Sequence, residues 1–228
     1  RAERGPSPGT LARSWIRRSI SGPAIRLDMP CFSGERKFWV APAPSAAIVS
    51  ASAGEPDGRT KAAMIAIRMA TPDDLDTLTE LIAASYATLA EGAYDAGALE
   101  EALPLMSRAN PKLLASGSYY VAEADGEPAA CGGWTREAPG TGELADGVGH
   151  IRHFATHPAH LRKGIARLLL DRCLDEAATA GIRLMKSQST LPAERFYAAA
   201  GFRRVRPIEV TLAPGIVLPA IEMERPLP

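Results

Sequence analysis

The stretch HIRHFATHPAHLRKGIARLLLDRC, residues 150–173, decides the fold. Its first part predicts a β-strand that ends at Pro158, and after a short basic turn a strongly periodic helix begins near Gly164. The apolar residues of this helix recur on one face, as expected of a helix packed against a core. They are Ile165, Leu168, Leu169, Cys173 and Ala177. The stretch therefore predicts a strand–turn–helix unit, and Gly181 is expected to close the helix.

The turn between this strand and this helix predicts a binding site for an anion. N–H groups at a helix start have no helical partner, and the helix dipole is positive there. Gly164 lets a ligand approach the main chain closely, and Ala166 is small enough to continue that approach. The alternative is an ordinary helix start with surface cations. The P-loop pattern GxxxxGKS/T is absent and no GxGxxG follows a strand, which argues against nucleoside triphosphate and dinucleotide sites.

Strand and helix patterns alternate on both sides of this unit. In order they are a strand at 65–70, a helix at 71–86, a second helix at about 95–106, a hairpin within 118–135, the central unit, a strand at 183–190, a helix at 191–202 and two further extended segments. This order predicts a mixed α/β domain with a single central sheet.

Charge is divided unevenly along the chain. The chain has 26 basic and 26 acidic residues. The segment 1–63 contains ten of the basic and five of the acidic residues, which gives a net charge of +5, and the segment 64–228 has a net charge of −5. This asymmetry marks a domain boundary. The second part is mildly acidic and the arginines of the first are scattered among Pro and Gly, so no nucleic-acid partner is expected.

Residues 1–63 contain 13 Gly and Pro residues and no persistent period, so we expect a disordered N-terminal extension without a catalytic role. The chain does not begin with Met, whereas Met64 stands just ahead of the first well-patterned strand. The preferred interpretation is a native start at Met64 or Met69, with the extension not part of the native protein. The alternative is an organelle transit peptide, since the segment is rich in Arg and Ser and poor in acids. The structured domain is expected to span residues 64–228.

Cysteine usage and hydropathy predict a cytoplasmic protein without a metal site. Cys31, Cys131 and Cys173 form no CxxC pair and have no His partner at metal-ligand spacing, which is typical of reduced, buried thiols. No apolar run approaches the roughly 20 residues that a membrane-spanning helix needs. We therefore expect no membrane segment.

Several short motifs resemble, in the same order, those of the GNAT superfamily of N-acetyltransferases. Members carry Gln/Arg-x-x-Gly-x-Gly/Ala at this helix start, where Gly164 and Ala166 match and Leu161 replaces the usual Gln or Arg. The other motifs are MATPDDLDTL (69–78), GGW (132–134) and FYAAAGF (196–202). The resemblance covers nearly all of residues 65–227. It implies an α/β fold with a mixed, mostly antiparallel central sheet of six to seven strands flanked by about four helices.

The resemblance also implies that acetyl-CoA is the cosubstrate. In the family, main-chain amides at this helix start grip the pyrophosphate of CoA, and the Arg162 side chain is expected to replace the polar side chain that Leu161 does not provide. The corresponding residues are Arg162, Lys163, Gly164, Ile165, Ala166 and Arg167. The preceding strand pairs with the pantetheine arm as an added strand would, through the backbone of Phe154, Ala155 and Thr156.

Two residues are predicted to carry the chemistry. The resemblance places Tyr197 beside the thioester sulfur, where a phenol can protonate the departing thiolate. His150 opens the fourth predicted strand, where some family members carry a Glu or His that deprotonates the amine through water, and its ordinary pKa near ~6.5 suits a base. Each has a structural alternative: Tyr197 as a packing residue of the last helix, and His150 as a polar residue at a strand entrance.

The amine acceptor is expected in a pocket formed by the first two helices and the loop 137–149. Tyr86, Tyr94 and Trp134 are candidate lining residues, although aromatic residues at these positions are as often core residues. Glu91, Asp95 and Asp146 are candidates for holding a cationic amine, although scattered acids on solvated faces are the commoner case.

Together these features predict an N-acetyltransferase that moves the acetyl group of acetyl-CoA to a primary amine of a small molecule or peptide, by direct attack in a ternary complex. One alternative is an acyl-CoA-binding sensor or regulatory module without turnover, and another is a protein-modifying acetyltransferase. The oligomeric state stays open, with a homodimer as one candidate.

Overall fold

The computed structural model of the chain describes residues 49–50, 64–90 and 92–228. The expectations for residues 1–63 lie outside the described residues, except at Val49–Ser50, which forms a two-residue strand, β1. Because β1 pairs with the strand that begins at Met64, this short part of the predicted extension belongs to the sheet.

Within the described residues, the sheet has eight strands in the order β1-β2-β3-β4-β5-β6-β8-β7. After β1 they are β2 (Met64–Met69), β3 (Tyr119–Ala124), β4 (Glu127–Thr135), β5 (Val148–Thr156), β6 (Leu184–Thr190), β7 (Arg203–Ala213) and β8 (Ile216–Pro226). Only the β5–β6 pair is parallel, and every other pair is antiparallel. The predicted mixed, mostly antiparallel α/β fold is confirmed, with the seven strands from Met64 onward joined by β1.

Five α-helices accompany the sheet in the described part of the chain. They are α1 (Leu75–Ala87), α2 (Ala96–Met106), α3 (Pro111–Leu114), α4 (Ile165–Thr179) and α5 (Glu194–Ala199). Sequence patterning missed α3 because four residues are too few to show a helical period. Its start was nevertheless visible, since Asn110 caps the helix by accepting a hydrogen bond from the Lys112 N–H and Pro111 occupies the first position. None of the helices in the described part of the chain is long and apolar enough to span a membrane.

Hydrophobic residues of β3 alternate between two clusters on opposite faces of the sheet. One face packs against α4, through buried residues such as Leu169 and Cys173. The other packs against α1, whose Leu78 and Ile82 are fully buried. The thiols of Cys131 and Cys173 are both buried, as the sequence predicted. Burial raises the pKa of the Cys131 thiol to about 12.

The centre of the sheet contains a β-bulge that explains the GGW motif. Gly133 pairs with Arg152 and Cys131 with Ala155, so two residues of β5 stand opposite Gly132. The Phe154 ring lies so close to Gly132 that an added Cβ would approach its Cδ2 to 2.4 Å. Glycine at 132 is therefore required by close packing against β5.

The strands β5 and β6 diverge after a short parallel pairing. Pairing joins Val148–His150 of β5 to Leu184–Lys186 of β6, and beyond it the two strands separate. The bulge begins soon after this point, at His153, whose φ is +49°. The divergence leaves an opening in the sheet, and α4 starts at its edge.

Candidate active site

A cavity of about 510 Å³ lies in the opening between β5 and β6. Most of the residues that the sequence proposed for CoA and catalysis line it. They are Phe154, Ala155, Thr156, Arg162, Gly164, Ile165, Ala166, Arg167 and Tyr197. Lys163 and His150 do not line it. The fold thus brings the end of β5, the start of α4 and the helix α5 to one site.

The end of β5 presents main-chain groups to this cavity. The His157 N–H donates to the Ala129 carbonyl oxygen at 2.9 Å, toward β4. Since hydrogen-bonding direction alternates along a strand, the groups of Phe154 and Thr156 face the open side. The Thr156 N–H donates to Ser85 Oγ at 3.2 Å, which fits this direction. The Thr156 amide therefore already has a partner, whereas its carbonyl and the Phe154 groups are directed to the opening.

The start of α4 presents a row of free amides. The first helical hydrogen bond runs from the Leu168 N–H to the Gly164 carbonyl, and no side chain caps the helix. In the described part of the chain, the N–H groups of residues 162–167 have no hydrogen-bond partner. Gly164 has φ +78°, and a Cβ added there would meet nothing within 4 Å. The junction is thus sterically open, and Gly164 is needed for its backbone angle.

The two arginines at this helix start, Arg167 and Arg162, differ in whether their side chains already have partners. Arg167 is engaged by Asp171, with Nε 2.9 Å from Oδ1, and its Nη1 donates to the Ala199 carbonyl at 3.1 Å. Arg162 lines the cavity, is exposed and has φ +61°. It takes part in no ion pair among the described residues, so it is the cation best placed to meet a phosphate.

Tyr197 is 5% exposed and lines the cavity from α5. Phe196 and Phe202 hold its ring in edge-to-face contacts with centroid distances of 5.1 and 5.3 Å. Burial raises the pKa of the Tyr197 hydroxyl well above its ordinary value, while the neighbouring Ser187 hydroxyl acts in the opposite direction. The phenol therefore stays protonated at any working pH, so packing and a donor role are both compatible with its position.

A second cavity of about 260 Å³ adjoins the first. The two share five lining residues, namely Tyr86, Ile151, His153, Gln188 and Thr190. The remaining lining of the second cavity comes mainly from the end of α2, α3 and the β7–β8 hairpin, with Pro139 as its contribution from the loop 137–149. The sequence predicts no cavity lined by α3 and the hairpin, because residues so distant in sequence meet only in the folded chain.

Two of the acids proposed for a cationic amine, Asp95 and Asp146, line neither cavity. Asp95 caps α2 by accepting from the Gly97 and Ala98 N–H groups. Asp146 is 98% exposed at its side chain and pairs with Arg183. Glu91 lies outside the described residues.

The aromatic candidates are divided between the cavities and the interior. Tyr86 lines both cavities, whereas Tyr94 and Trp134 line neither. The Tyr94 hydroxyl accepts a hydrogen bond from the Leu191 N–H, and Trp134 is a core residue. Within the described residues, no group of three His, Cys, Asp or Glu side chains is arranged to hold a metal ion.

Two histidines of β5 differ in their access to the cavities. His150 is half-buried and lines neither, and both burial and the neighbouring Lys186 lower its pKa. His153 lines both cavities and packs against the Tyr86 ring at a centroid distance of 5.6 Å. Its Nε2 lies 2.8 Å from the Met106 carbonyl oxygen, which can only accept, so Nε2 carries the proton and Nδ1 has a lone pair. Burial lowers the pKa of His153, which favours this neutral form.

Comparison with known proteins agrees with this geometry. The model of the acetyltransferase (GNAT) family matches residues 79–202, more than half of the chain. A GCN5-related N-acetyltransferase from Rhodopseudomonas palustris has a similar structure, with a TM-score of 0.59 and 20% identity over 75% of this chain and 100% of that chain. The PaiA N-acetyltransferase from Thermoplasma acidophilum, solved in complex with coenzyme A, has a TM-score of 0.53 and 17% identity over 71% of this chain and 98% of that chain. No curated protein matches.

The family match spans the diverging strands, the open start of α4 and the helix with Tyr197. The two solved structures share the fold. The chain therefore belongs to the GNAT family of acetyltransferases, and it is a transferase.

Proposed function

We propose that the protein transfers the acetyl group of acetyl-CoA to a primary amine of a small molecule or peptide, by direct attack of the amine in a ternary complex. One observation carries this proposal: the cavity that begins at the free amides of α4 reaches Tyr197 and adjoins a second cavity through five shared residues. Two substrates could therefore bind from different sides and meet between them.

Acetyl-CoA would bind along the first cavity. Its pyrophosphate would accept hydrogen bonds from the amides of residues 162–167, at the positive end of the α4 dipole. The pantetheine amides would pair with the open backbone groups of Phe154 and Thr156, where β6 has moved away. Lys163 would contribute through its amide, since its side chain does not line the cavity.

The attacking amine must be neutral, which requires a base. An alkylamine with a pKa near ~10.4 is only about 0.04% neutral at pH 7. His153 lines both cavities and its Nδ1 has a lone pair, and we propose it as the group that accepts the amine proton. His150, the base proposed from sequence, lies three positions earlier outside both cavities and would need a chain of waters.

Tyr197 would assist the departing thiolate. Its phenol is held in place by Phe196 and Phe202 and stays protonated, so it can donate a hydrogen bond as charge develops on sulfur. Because burial raises its pKa, complete proton transfer to a thiolate is unfavourable. Its main contribution would therefore be hydrogen bonding to the sulfur.

The proposal is tested with the purified full chain in two measurements. Isothermal titration with CoA measures binding, and release of free thiol from acetyl-CoA measures turnover across a panel of primary amines and peptides. We expect CoA binding and thiol release that depends on an amine. Binding without release across the panel would favour a sensor, release with peptides alone would favour a protein-modifying enzyme, and absence of CoA binding would refute the proposal.

A further inference from the structure

Among the described residues, the second cavity combines an apolar wall with a single fully charged residue. The described lining includes no Asp or Glu, and its apolar residues are Met106, Leu113, Pro139, Ile151, Val210, Leu212, Leu218 and Ala220. Arg152 is the one Arg or Lys in this described lining. We propose that Arg152 binds a carboxylate of the acceptor, which makes the acceptor an amino carboxylate with an apolar body. This inference rests on the proposed acetyl transfer.

The hydrogen bonds of Arg152 leave one edge of its guanidinium available. Nη1 donates to Thr135 Oγ1 at 2.8 Å and, over 3.4 Å, to the Glu137 carbonyl oxygen. Nε and Nη2 have no hydrogen-bond partner among the described residues, and neither is sealed from solvent. These two nitrogens form the side-on fork that binds both oxygens of a carboxylate. Thr135 thus orients the group while the binding edge stays free.

The charge of Arg152 is not neutralised in the described part of the chain. No carboxylate lies within ion-pair distance of it, although the exposed Glu137 is near enough to act on its charge. A partly buried cation in an apolar wall is costly unless a ligand pairs with it. One guanidinium balances one negative charge, which fits a carboxylate better than a phosphate dianion.

The positions of Arg152 and His153 also fit the two ends of such an acceptor. They are consecutive, yet both line the second cavity because the bulge begins at His153. A carboxylate held by Arg152 would leave the amine of the same small molecule near His153 Nδ1. The volume of about 260 Å³ lies below the roughly 300 Å³ at which typical small-molecule sites begin, which favours a single amino acid over a peptide.

The test compares acids with their neutral amides within each variant. Thiol release from acetyl-CoA is measured with leucine, methionine and phenylalanine and with the corresponding amino acid amides. In the wild type we expect kcat/KM for at least one acid to exceed that for its amide by roughly 10- to 100-fold, the range for a hydrogen-bonded charge pair. Arg152→Gln should reduce that ratio to about one, and Arg152→Lys should retain part of it. A ratio within one variant is unaffected by a change in the folded fraction.

A matched control removes a different arginine. Arg183→Gln deletes an exposed cation paired with Asp146, outside both cavities, and should leave the ratio unchanged. Binding of the N-acetylated acids and amides in the presence of CoA gives a second readout that needs no turnover, with the same expected preference and the same loss in Arg152→Gln. Equal use and equal binding of every acid and its amide by the wild type, or an unchanged preference in Arg152→Gln, would overturn the inference. Acetylation of the amides would continue in that case, so the proposed function would stand.

Discussion

Tyr197 shows how one residue can serve packing and chemistry together. Its ring is held between Phe196 and Phe202, and the residue nevertheless lines the cavity. A sequence pattern such as FYAAAGF cannot separate these roles, since both require a buried aromatic residue on the same helix face. The separation requires removal of the hydroxyl alone.

Tyr197→Phe keeps the ring and its edge-to-face contacts. If the phenol donates to the departing sulfur, kcat should fall by roughly 10²-fold with little change in the dissociation constant of CoA. Steady-state kinetics and calorimetric titration with CoA measure the two quantities. Tyr94→Phe is the matched control, because its hydroxyl accepts from Leu191 N–H outside both cavities and should affect stability more than turnover. Wild-type turnover in Tyr197→Phe would remove the phenol from the mechanism.

The choice between His153 and His150 is made by a pH profile. The pKa of His153 is lowered by burial, so the acidic limb of kcat/KM should lie below pH 6.5, with activity lost as the imidazole becomes protonated. His153→Asn tolerates φ +49° and should lower kcat/KM by roughly 10²-fold and abolish that limb. His150→Asn should keep the limb and most of the activity. The reverse pattern would restore His150 as the base.

At the scale of elements, α4 has glycines at both ends with nearly the same conformation. Gly164 precedes the helix with φ +78°, Gly181 follows it with φ +83°, and a Cβ at either position would meet nothing within 4 Å. Only the first end opens into the cavity. The helix dipole is positive there and negative at Gly181, so an anion gains only at Gly164.

This symmetry provides a controlled test of the helix start. Gly164→Ala and Gly181→Ala should each lower the free energy of unfolding by about 1 kcal/mol, because alanine is strained in the left-handed backbone conformation. We expect Gly164→Ala to weaken CoA binding by about 10-fold or more, because the amides around it must shift, whereas Gly181→Ala should bind CoA as the wild type does. Thermal denaturation measures the stability of each variant, and titration with CoA measures its affinity. Equal CoA affinity in both variants would place the pyrophosphate elsewhere.

At the scale of the whole molecule, an ion-pair cluster joins segments that are distant in the sequence. Arg68 on β2 contacts Asp74 with Nη2 to Oδ1 at 2.7 Å and Glu123 on β3 with Nε to Oε1 at 2.7 Å. Asp74 also accepts from the Thr71 N–H at 2.7 Å, at the entrance to α1. The Arg68 guanidinium is the main reason that the pKa of Asp74 is lowered to about 2 from 3.8.

This cluster predicts a pH-dependent contribution to stability. A lowered carboxyl pKa stabilises the fold above the unfolded pKa, and that stability is lost as pH falls through the folded pKa. Asp74→Asn should therefore lower Tm by about 2–4 °C at pH 7, the shift for ~1 kcal/mol in a domain of this size. The expected shift is small because the Arg68 side chain is 40% exposed and solvent screens the pair. The Tm difference should narrow between about pH 4 and pH 2, and a constant difference over that range would contradict the ion-pair explanation.

Local pattern and motif order were enough to predict much of the molecule. Periodicity located α1, α2 and α4, because a helix buries one face at a spacing of 3.6 residues. The glycine near the start of α4 indicated a close approach to a ligand, since few other residues adopt its backbone angle. These features depend on residues only a few positions apart, so they can be predicted from the sequence.

Tertiary structure decided what depends on distant neighbours. The bulge at His153 brings Arg152 and His153 into one cavity, and the β7–β8 hairpin supplies the opposite wall, neither of which a strand pattern encodes. His150 was chosen from its place in the strand, and its exclusion from both cavities became visible only with the register. Sequence alone predicted most of the elements and the helix start at Gly164, because those follow from local backbone chemistry. Folding decided which side chains share the cavities, because that depends on strand register and long-range packing.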